Sequence, residues 1–141
     1  MLGDVLLTVQ QTQPRPSTVL QGVLLGIVIL FVFSVFATGF TAKRINNIHK
    51  PTYAKAFLAT LLKNITSWAG LATAIFFFQL NPIVAFFAVA TIFPIVVYRL
   101  VFASMWREAA LIWIVVFAGE FGLGYLLTVS GLMSLGLAGA A

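Results

Sequence analysis

The 141-residue sequence contains no cysteine, one histidine and only three acidic residues. The absence of cysteine excludes disulfides, thiolate metal sites and a thiol nucleophile. A single histidine excludes a bis-histidine haem or a histidine-rich metal site within one chain, so we expect no metal and no cofactor. Motifs for a P-loop, an HExxH zinc site, a nucleophile elbow or a paired-acid glycosidase are also missing. The sequence therefore favours a non-catalytic protein over an enzyme.

Charged residues are scarce in general, at 8% of the chain against 62% hydrophobic residues. Soluble domains carry roughly 25% charged residues, so this composition indicates a membrane protein. The net charge of +5 would suggest nucleic-acid binding in a soluble protein. Here the basic residues lie beside apolar runs, which is typical of membrane orientation signals, and we expect no nucleic-acid partner.

Long uncharged runs define the membrane spans. The run between Lys63 and Arg99 has 35 residues and would extend about 52 Å as one helix, too long for a single crossing. Asn81-Pro82 divides it, since proline interrupts a helix. The sequence predicts an all-α integral membrane protein, one domain over residues 1–141, with four transmembrane helices in a small bundle of two helical hairpins. The predicted spans are 18–41, 53–80, 82–104 and 106–129.

The orientation follows from the distribution of basic residues. Only Arg15 lies at one face, whereas seven basic residues lie at the other: Lys43, Arg44, Lys50, Lys55, Lys63, Arg99 and Arg107. By the positive-inside rule, this predicts a plasma or inner membrane protein with both termini on the non-cytoplasmic side. The head before Ser17 lacks an early basic residue, so we expect no cleaved signal peptide. We expect the head and the tail after Val129 to lie at the membrane interface or on partner subunits.

Glu120 is the one acid inside a long apolar run. Such residues are rare in membranes and are candidate functional sites. Glu120 lies about 21 Å from the start of the fourth helix. We expect Thr73 and Thr91 to lie at the same depth in the membrane. We place Lys63 and Arg99 near the cytoplasmic boundary of the membrane. Arg99 is then about 15 Å from Glu120 in depth, and we predict that Glu120 forms no salt bridge with either residue. Glu120 is then neutral and hydrogen-bonded, or it couples protons or cations, or it pairs with a partner subunit.

Small residues form two spaced pairs, Gly22 with Gly26 and Ala118 with Gly122. Small residues four apart let helix backbones approach closely. We predict that these pairs pack the first helix against the fourth, or that they make contacts in an oligomer.

The basic residues Lys43, Arg44, Lys50 and Lys55 are expected to bind anionic lipids at the cytoplasmic face, or an acidic partner surface. Phenylalanine is abundant in the second and third spans. The simplest interpretation is that these side chains contact lipid. Trp68, Trp106, Trp113, Tyr53 and Tyr98 are expected mostly near the membrane interfaces.

Two functions fit these features. The first is a non-catalytic accessory or structural subunit of a larger membrane complex, which the small size, short loops and apolar ends favour. The alternative is a small oligomeric transporter or channel that uses Glu120 for proton or cation coupling. Both place the protein in a lipid bilayer with other subunits, as a hetero-complex or a homo-oligomer.

Overall fold

The structure is a computed structural model that describes residues 16–46 and 48–130. Over these residues the chain is all-helical and has four helices. They are α1 (Pro16–Arg44), α2 (Tyr53–Phe76), α3 (Pro82–Phe102) and α4 (Trp106–Val129). The head and the tail, for which interfacial or partner-bound positions are predicted, lie outside the described residues.

Local chemistry explains where the helices begin. The Thr52 hydroxyl accepts the Lys55 N–H at 3.2 Å, and the Asn81 side chain accepts the Ile83 N–H at 2.9 Å, so each residue caps a helix. Pro82 occupies the first turn of α3, where a missing N–H costs nothing. At α4, the Glu108 carboxylate accepts the Met105 N–H at 2.9 Å, which completes one half of a capping box.

The second helix ends at Phe76, four residues before the predicted boundary at 80. The connector after it places Gln79 in the left-handed region, with φ of 50°. A residue before proline avoids the helical region, so the chain leaves the helix before Asn81 caps α3. Helix α4 occupies the predicted range of 106–129.

Three of the four described helices are long and apolar enough to cross a membrane: α1 from Ser17, α3 and α4. They indicate a membrane-embedded protein. Helix α2 is not among them, because Lys55, Lys63 and several hydroxyl and amide residues reduce its apolar character.

Residue contacts divide the chain into two compact units, of which one is Val32–Glu120 and the other contains residues 16–31 and 121–130. The prediction of a single domain is not tested by this division. We call Val32–Glu120 the central unit. Its buried core includes Ala56, Ala59, Tyr98, Phe102 and Ile112, contributed by α2, α3 and α4. The small alanines on α2 leave room for large side chains from its neighbours.

Close contacts in the central unit also depend on glycine. A Cβ on Gly70 of α2 would lie 2.8 Å from the Phe93 ring of α3, and a Cβ on Gly119 of α4 would lie 2.7 Å from the Phe33 ring of α1. Each aromatic ring therefore packs directly on a helix backbone. Within the central unit, the missing side chains let Phe33 of α1 reach α4 and Phe93 of α3 reach α2.

Candidate functional site

An ion pair lies inside the central unit. The Lys63 ammonium on α2 donates to Oε1 of Glu120 on α4, and to the Ser34 hydroxyl on α1 at 3.1 Å. The Lys63 side chain is 8% exposed, whereas that of Glu120 is 28% exposed. Lysine is almost never this buried unless it is paired. Lys63 thus joins three helices through two contacts.

The prediction that Glu120 makes no salt bridge with Lys63 is wrong. Lys63 was assigned to the membrane boundary because lysine is charged, but it lies ten residues after Tyr53, or about 15 Å along α2. Glu120 lies about 21 Å along α4, so the two differ by only about 6 Å in depth. A lysine side chain spans that distance. The expectation of a neutral Glu120 assumed that no cation was near, and that assumption fails.

The other charged groups of the central unit lie at the helix ends. Arg99 stacks its guanidinium over the Trp106 ring, with 4.0 Å between the guanidinium carbon and the ring centroid. Glu108 is buried and caps α4. Glu120 and Glu108 share one helix but differ in role: the first meets an ammonium and the second a backbone N–H.

A cavity of about 200 Å³ adjoins the ion pair. Helices α2, α3 and α4 all contribute to its walls, which are mostly aromatic and aliphatic. Lys63 and Glu120 lie on its wall, and Asn64, Ser67 and Tyr98 add further polar groups to its lining. We call the part of the wall that carries the ion pair the polar end. Mostly apolar pockets with a few convergent polar groups are the usual form of small-molecule sites.

Pro94 shapes one wall of this cavity. Because proline has no N–H, it leaves the carbonyl of Ala90, four residues earlier in α3, without its helical donor. The indole N–H of Trp113 on α4 donates to that carbonyl at 2.8 Å. The contact satisfies a backbone group that would be costly to leave unpaired in an apolar interior, and it ties α3 to α4.

Buried hydroxyl groups continue from the ion pair toward the connector ends of the helices. Ser34 and Thr38 lie one turn apart on α1, Thr60 lies one turn before Lys63 on α2, and Tyr98 lies near the end of α3. All four are 1% exposed or less. We call this set the hydroxyl row.

Three hydroxyls of this row, those of Thr38, Thr60 and Tyr98, have no hydrogen-bond partner among the described residues. Thr38 and Tyr98 nevertheless lie close enough to interact electrostatically, as do Tyr98 and Glu120. Buried polar groups are usually hydrogen-bonded, and in other proteins those without a protein partner commonly bind ordered water. The mostly apolar core of the central unit therefore contains a row of buried polar groups.

The threonines predicted at the depth of Glu120 are bonded elsewhere. Thr73 donates to the Ala69 carbonyl at 2.8 Å, and Thr91 donates to the Phe87 carbonyl at 2.8 Å. Each hydroxyl thus bonds within its own helix, one turn back. A role for Thr73 and Thr91 in ion coupling or in contacts between subunits stays a prediction.

The small residues differ in exposure. Gly26 is buried and Gly22 half-buried, whereas Ala118 and Gly122 are exposed. A Cβ on Gly122 would meet no atom within 4 Å. Packing through Ala118 and Gly122 stays a prediction.

The basic residues surround the connector between α1 and α2. Lys43, Arg44 and Lys50 are exposed, and Lys55 is half-buried. Lys43 lies 3.9 Å from the ring centroid of Tyr53. Binding of anionic lipid by these four residues stays a prediction.

Sequence reasoning missed Lys63, Ser34, Thr60 and Tyr98 as site residues. The spacing of polar residues could have identified Ser34, Thr60 and Lys63. Ser34 and Thr38 are four residues apart, and Thr60 and Lys63 are three apart, so each pair lies on one helix face. The Tyr98 side chain is fully buried and Trp113 lines the cavity. Their predicted depth near the membrane interfaces stays a prediction.

The site offers charge and hydrogen bonds rather than metal ligands. Within residues 16–46 and 48–130, no three His, Asp or Glu side chains lie close enough together to hold a metal ion. Instead, the site places the Lys63 ammonium and the Glu120 carboxylate together on the wall of a cavity. No protein-family model matches the chain, and no curated protein or solved structure is significantly similar to it.

Proposed function

We propose that the protein is a small ion-coupled membrane transporter or channel, with the Lys63–Glu120 pair as the element that couples to protons or cations. The observation that carries this proposal is a largely buried lysine paired with a partly buried glutamate on the wall of a cavity within the central unit. Charged residues inside membrane segments are costly and usually mark ion or proton pathways. The pair also removes the main argument for an outside partner to Glu120, so the transport function now has better support than the accessory one.

The hydroxyl row supports a proton pathway to this pair. Ser34 contacts Lys63 directly, and Thr38, Thr60 and Tyr98 supply buried hydroxyls closer to the connector ends of their helices. Hydroxyls both donate and accept hydrogen bonds, so they can pass protons between water molecules. Protons would reach Glu120 from the face that carries the basic connectors.

Proton flux into vesicles tests this function. Purified protein is reconstituted into liposomes that contain a pH-sensitive dye, and an imposed potassium diffusion potential drives proton entry. We expect flux above that of empty liposomes, and a loss of at least about tenfold in Glu120→Gln, which keeps the shape but removes the titrating carboxylate.

Two matched controls accompany this test. Glu108→Gln changes the other acid of α4 but keeps an acceptor for the Met105 N–H, and Lys55→Met changes the other lysine of α2. Both should retain flux. Wild-type liposomes that pass no more protons, Na⁺ or K⁺ than empty ones would refute the function. Equal flux in Glu120→Gln and wild type would remove Glu120 from it.

We further propose that α2 is a fourth span and that the four helices form a bundle with both termini outside. At 24 residues, α2 extends about 36 Å, enough to cross a bilayer. Because the chain has no cysteine, single introduced cysteines report their location without interference. An impermeant thiol reagent applied from outside should label Ser17→Cys and Asn81→Cys, but not His49→Cys. Labelling of Asn81→Cys and His49→Cys from the same side would exclude α2 as a span.

An accessory subunit of a larger complex is the second candidate. The observation that favours it is the outward position of Ala118 and Gly122 on α4, since exposed small residues suit close contact with another helix. Mild-detergent purification and native mass measurement should then find other membrane subunits, and Gly122→Leu should release them. A homo-oligomer without other proteins would instead agree with the transporter.

A further inference from the structure

The cavity beside the ion pair has a size and a lining that specify a ligand class. Its volume is about 200 Å³. A cavity of about 150 Å³ in another protein holds benzene, so this one has room for a single ring with a small substituent, or a short chain of similar bulk. Trp113, Phe117, Val89 and Leu71 supply apolar wall. Burial of an apolar ligand against such walls is favourable.

The polar end of the cavity restricts the ligand further. Lys63 and Glu120 are already paired there, with the lysine side chain almost completely buried. A charged ligand would have to separate them and leave one charge unpaired in a largely apolar site, which is strongly unfavourable. A neutral group with one hydroxyl can donate to the carboxylate of Glu120 while the pair stays intact, because a carboxylate accepts several hydrogen bonds.

The cavity also has a route to the surface of the central unit. Trp68 and Phe86 both line it, yet they are 73% and 49% exposed. They face outward from α2 and α3, the side where lipid surrounds the protein if both helices cross the membrane. A ligand that partitions into the bilayer can therefore reach the cavity sideways between these two aromatic rings.

We propose that this cavity binds a small neutral molecule with a single apolar ring and one hydroxyl group, taken from the membrane and held by Glu120 at its polar end. A simple phenol represents the class. The proposal deepens the function above by naming a substrate class for the same site, but binding can be measured without any ion flux.

Ligand-observed fluorine NMR with 4-fluorophenol tests the proposal on the full chain in lipid nanodiscs. We expect saturable binding that unlabelled phenol displaces and that 4-fluorobenzoate does not. Fluorobenzene, which lacks the hydroxyl, should bind at least about tenfold more weakly because it leaves the carboxylate without its donor. Signal loss that is equal in empty nanodiscs, or that phenol does not displace, would overturn the proposal.

Two alanines on α3 provide a matched pair of variants. Ala90 lines the cavity, whereas Ala88, two residues earlier, is exposed and does not. Ala90→Phe should fill the cavity and abolish displaceable 4-fluorophenol binding, whereas Ala88→Phe should keep it. Equal binding in the two variants would place the ligand elsewhere and overturn the proposal. If Ala90→Phe does not fold, the smaller change Ala90→Leu replaces it, with Ala88→Leu as its control, and the same two outcomes decide the question.

The failures of the two proposals can be told apart. Displaceable phenol binding in a protein that passes no ions, whether phenol is absent or present, would keep the ligand site and refute the transport function. Ion flux without displaceable binding would do the reverse.

Discussion

Helices α2 and α3 pack against each other in the central unit, yet they differ in how apolar they are. Helix α3 has a mean hydropathy of 2.2 over its most apolar window and qualifies as a span by length and composition. Helix α2 is longer but carries Lys55, Lys63, Asn64 and Ser67, and it does not qualify. Helix α3 is apolar by its own composition, whereas the polar side chains of α2 depend on partners from neighbouring helices.

The polar groups of α2 are compensated by other helices. Lys63 finds Ser34 of α1 and Glu120 of α4, and Thr60 is completely buried. The one irregularity of α3, at Pro94, is likewise compensated by Trp113 of α4. Helix α4 thus supplies the partner in both cases. If α2 crosses the membrane as proposed, its polar side chains have matching groups on the neighbouring helices.

The largest effect is expected from removing the partner of Glu120. Lys63→Met should destabilise the protein by about 3–5 kcal/mol, since it leaves a carboxylate unpaired inside the central unit. The double variant Lys63→Met/Glu120→Leu should recover most of that loss, because no charge remains. Circular dichroism during unfolding by SDS in mixed micelles measures both.

Lys55→Met is the control for this first prediction, because it removes a lysine of the same helix near its start. It should change stability by less than about 0.5 kcal/mol. If Lys63→Met destabilised the protein no more than Lys55→Met does, the stability of α2 would not depend on the ion pair. The difference between α2 and α3 in their need for partners would then disappear.

An intermediate effect is expected at the irregularity of α3. Trp113→Phe removes the donor to the Ala90 carbonyl and should cost about 1–3 kcal/mol. Pro94→Ala restores the backbone N–H that would bond this carbonyl within the helix, so the cost of Trp113→Phe should fall in that background.

A double-mutant cycle of Trp113→Phe and Pro94→Ala, followed by the same SDS unfolding, gives the coupling energy. Trp106→Phe serves as the control tryptophan, since it lies at a helix end. Additive effects of the two changes would show that Trp113 does not compensate for the proline.

The smallest effects are expected at the two helix caps, which treat α2 and α3 alike. Thr52→Ala and Asn81→Ala should each cost about 1 kcal/mol because each removes a side-chain acceptor from a first-turn N–H. Thr73→Ala, whose hydroxyl bonds within its own helix, should cost less than about 0.5 kcal/mol. A much larger loss at one cap than at the other would show that the two helices also differ at their ends.

The sequence predicted the helices well but not their contacts. Asn81-Pro82 correctly marked the start of α3, and the aromatic and charged residues at 106–108 marked that of α4. Lys63 was misplaced because charge was used to assign depth, although counting from the helix start gives its position directly. The cavity was beyond prediction, since it depends on how three helices rotate about their axes, and hydropathy carries no such information.

The long sequence separation between Lys63 and Glu120 has a consequence for the synthesis of the chain. The two partners are 57 residues apart, whereas Ser34 precedes Lys63 by 29. At a synthesis rate of roughly 5–20 residues per second, Lys63 leaves the ribosome about 3 to 11 s before its carboxylate partner. During that interval Lys63 can contact Ser34 but not Glu120. Lys63 therefore lacks its carboxylate partner until α4 is made.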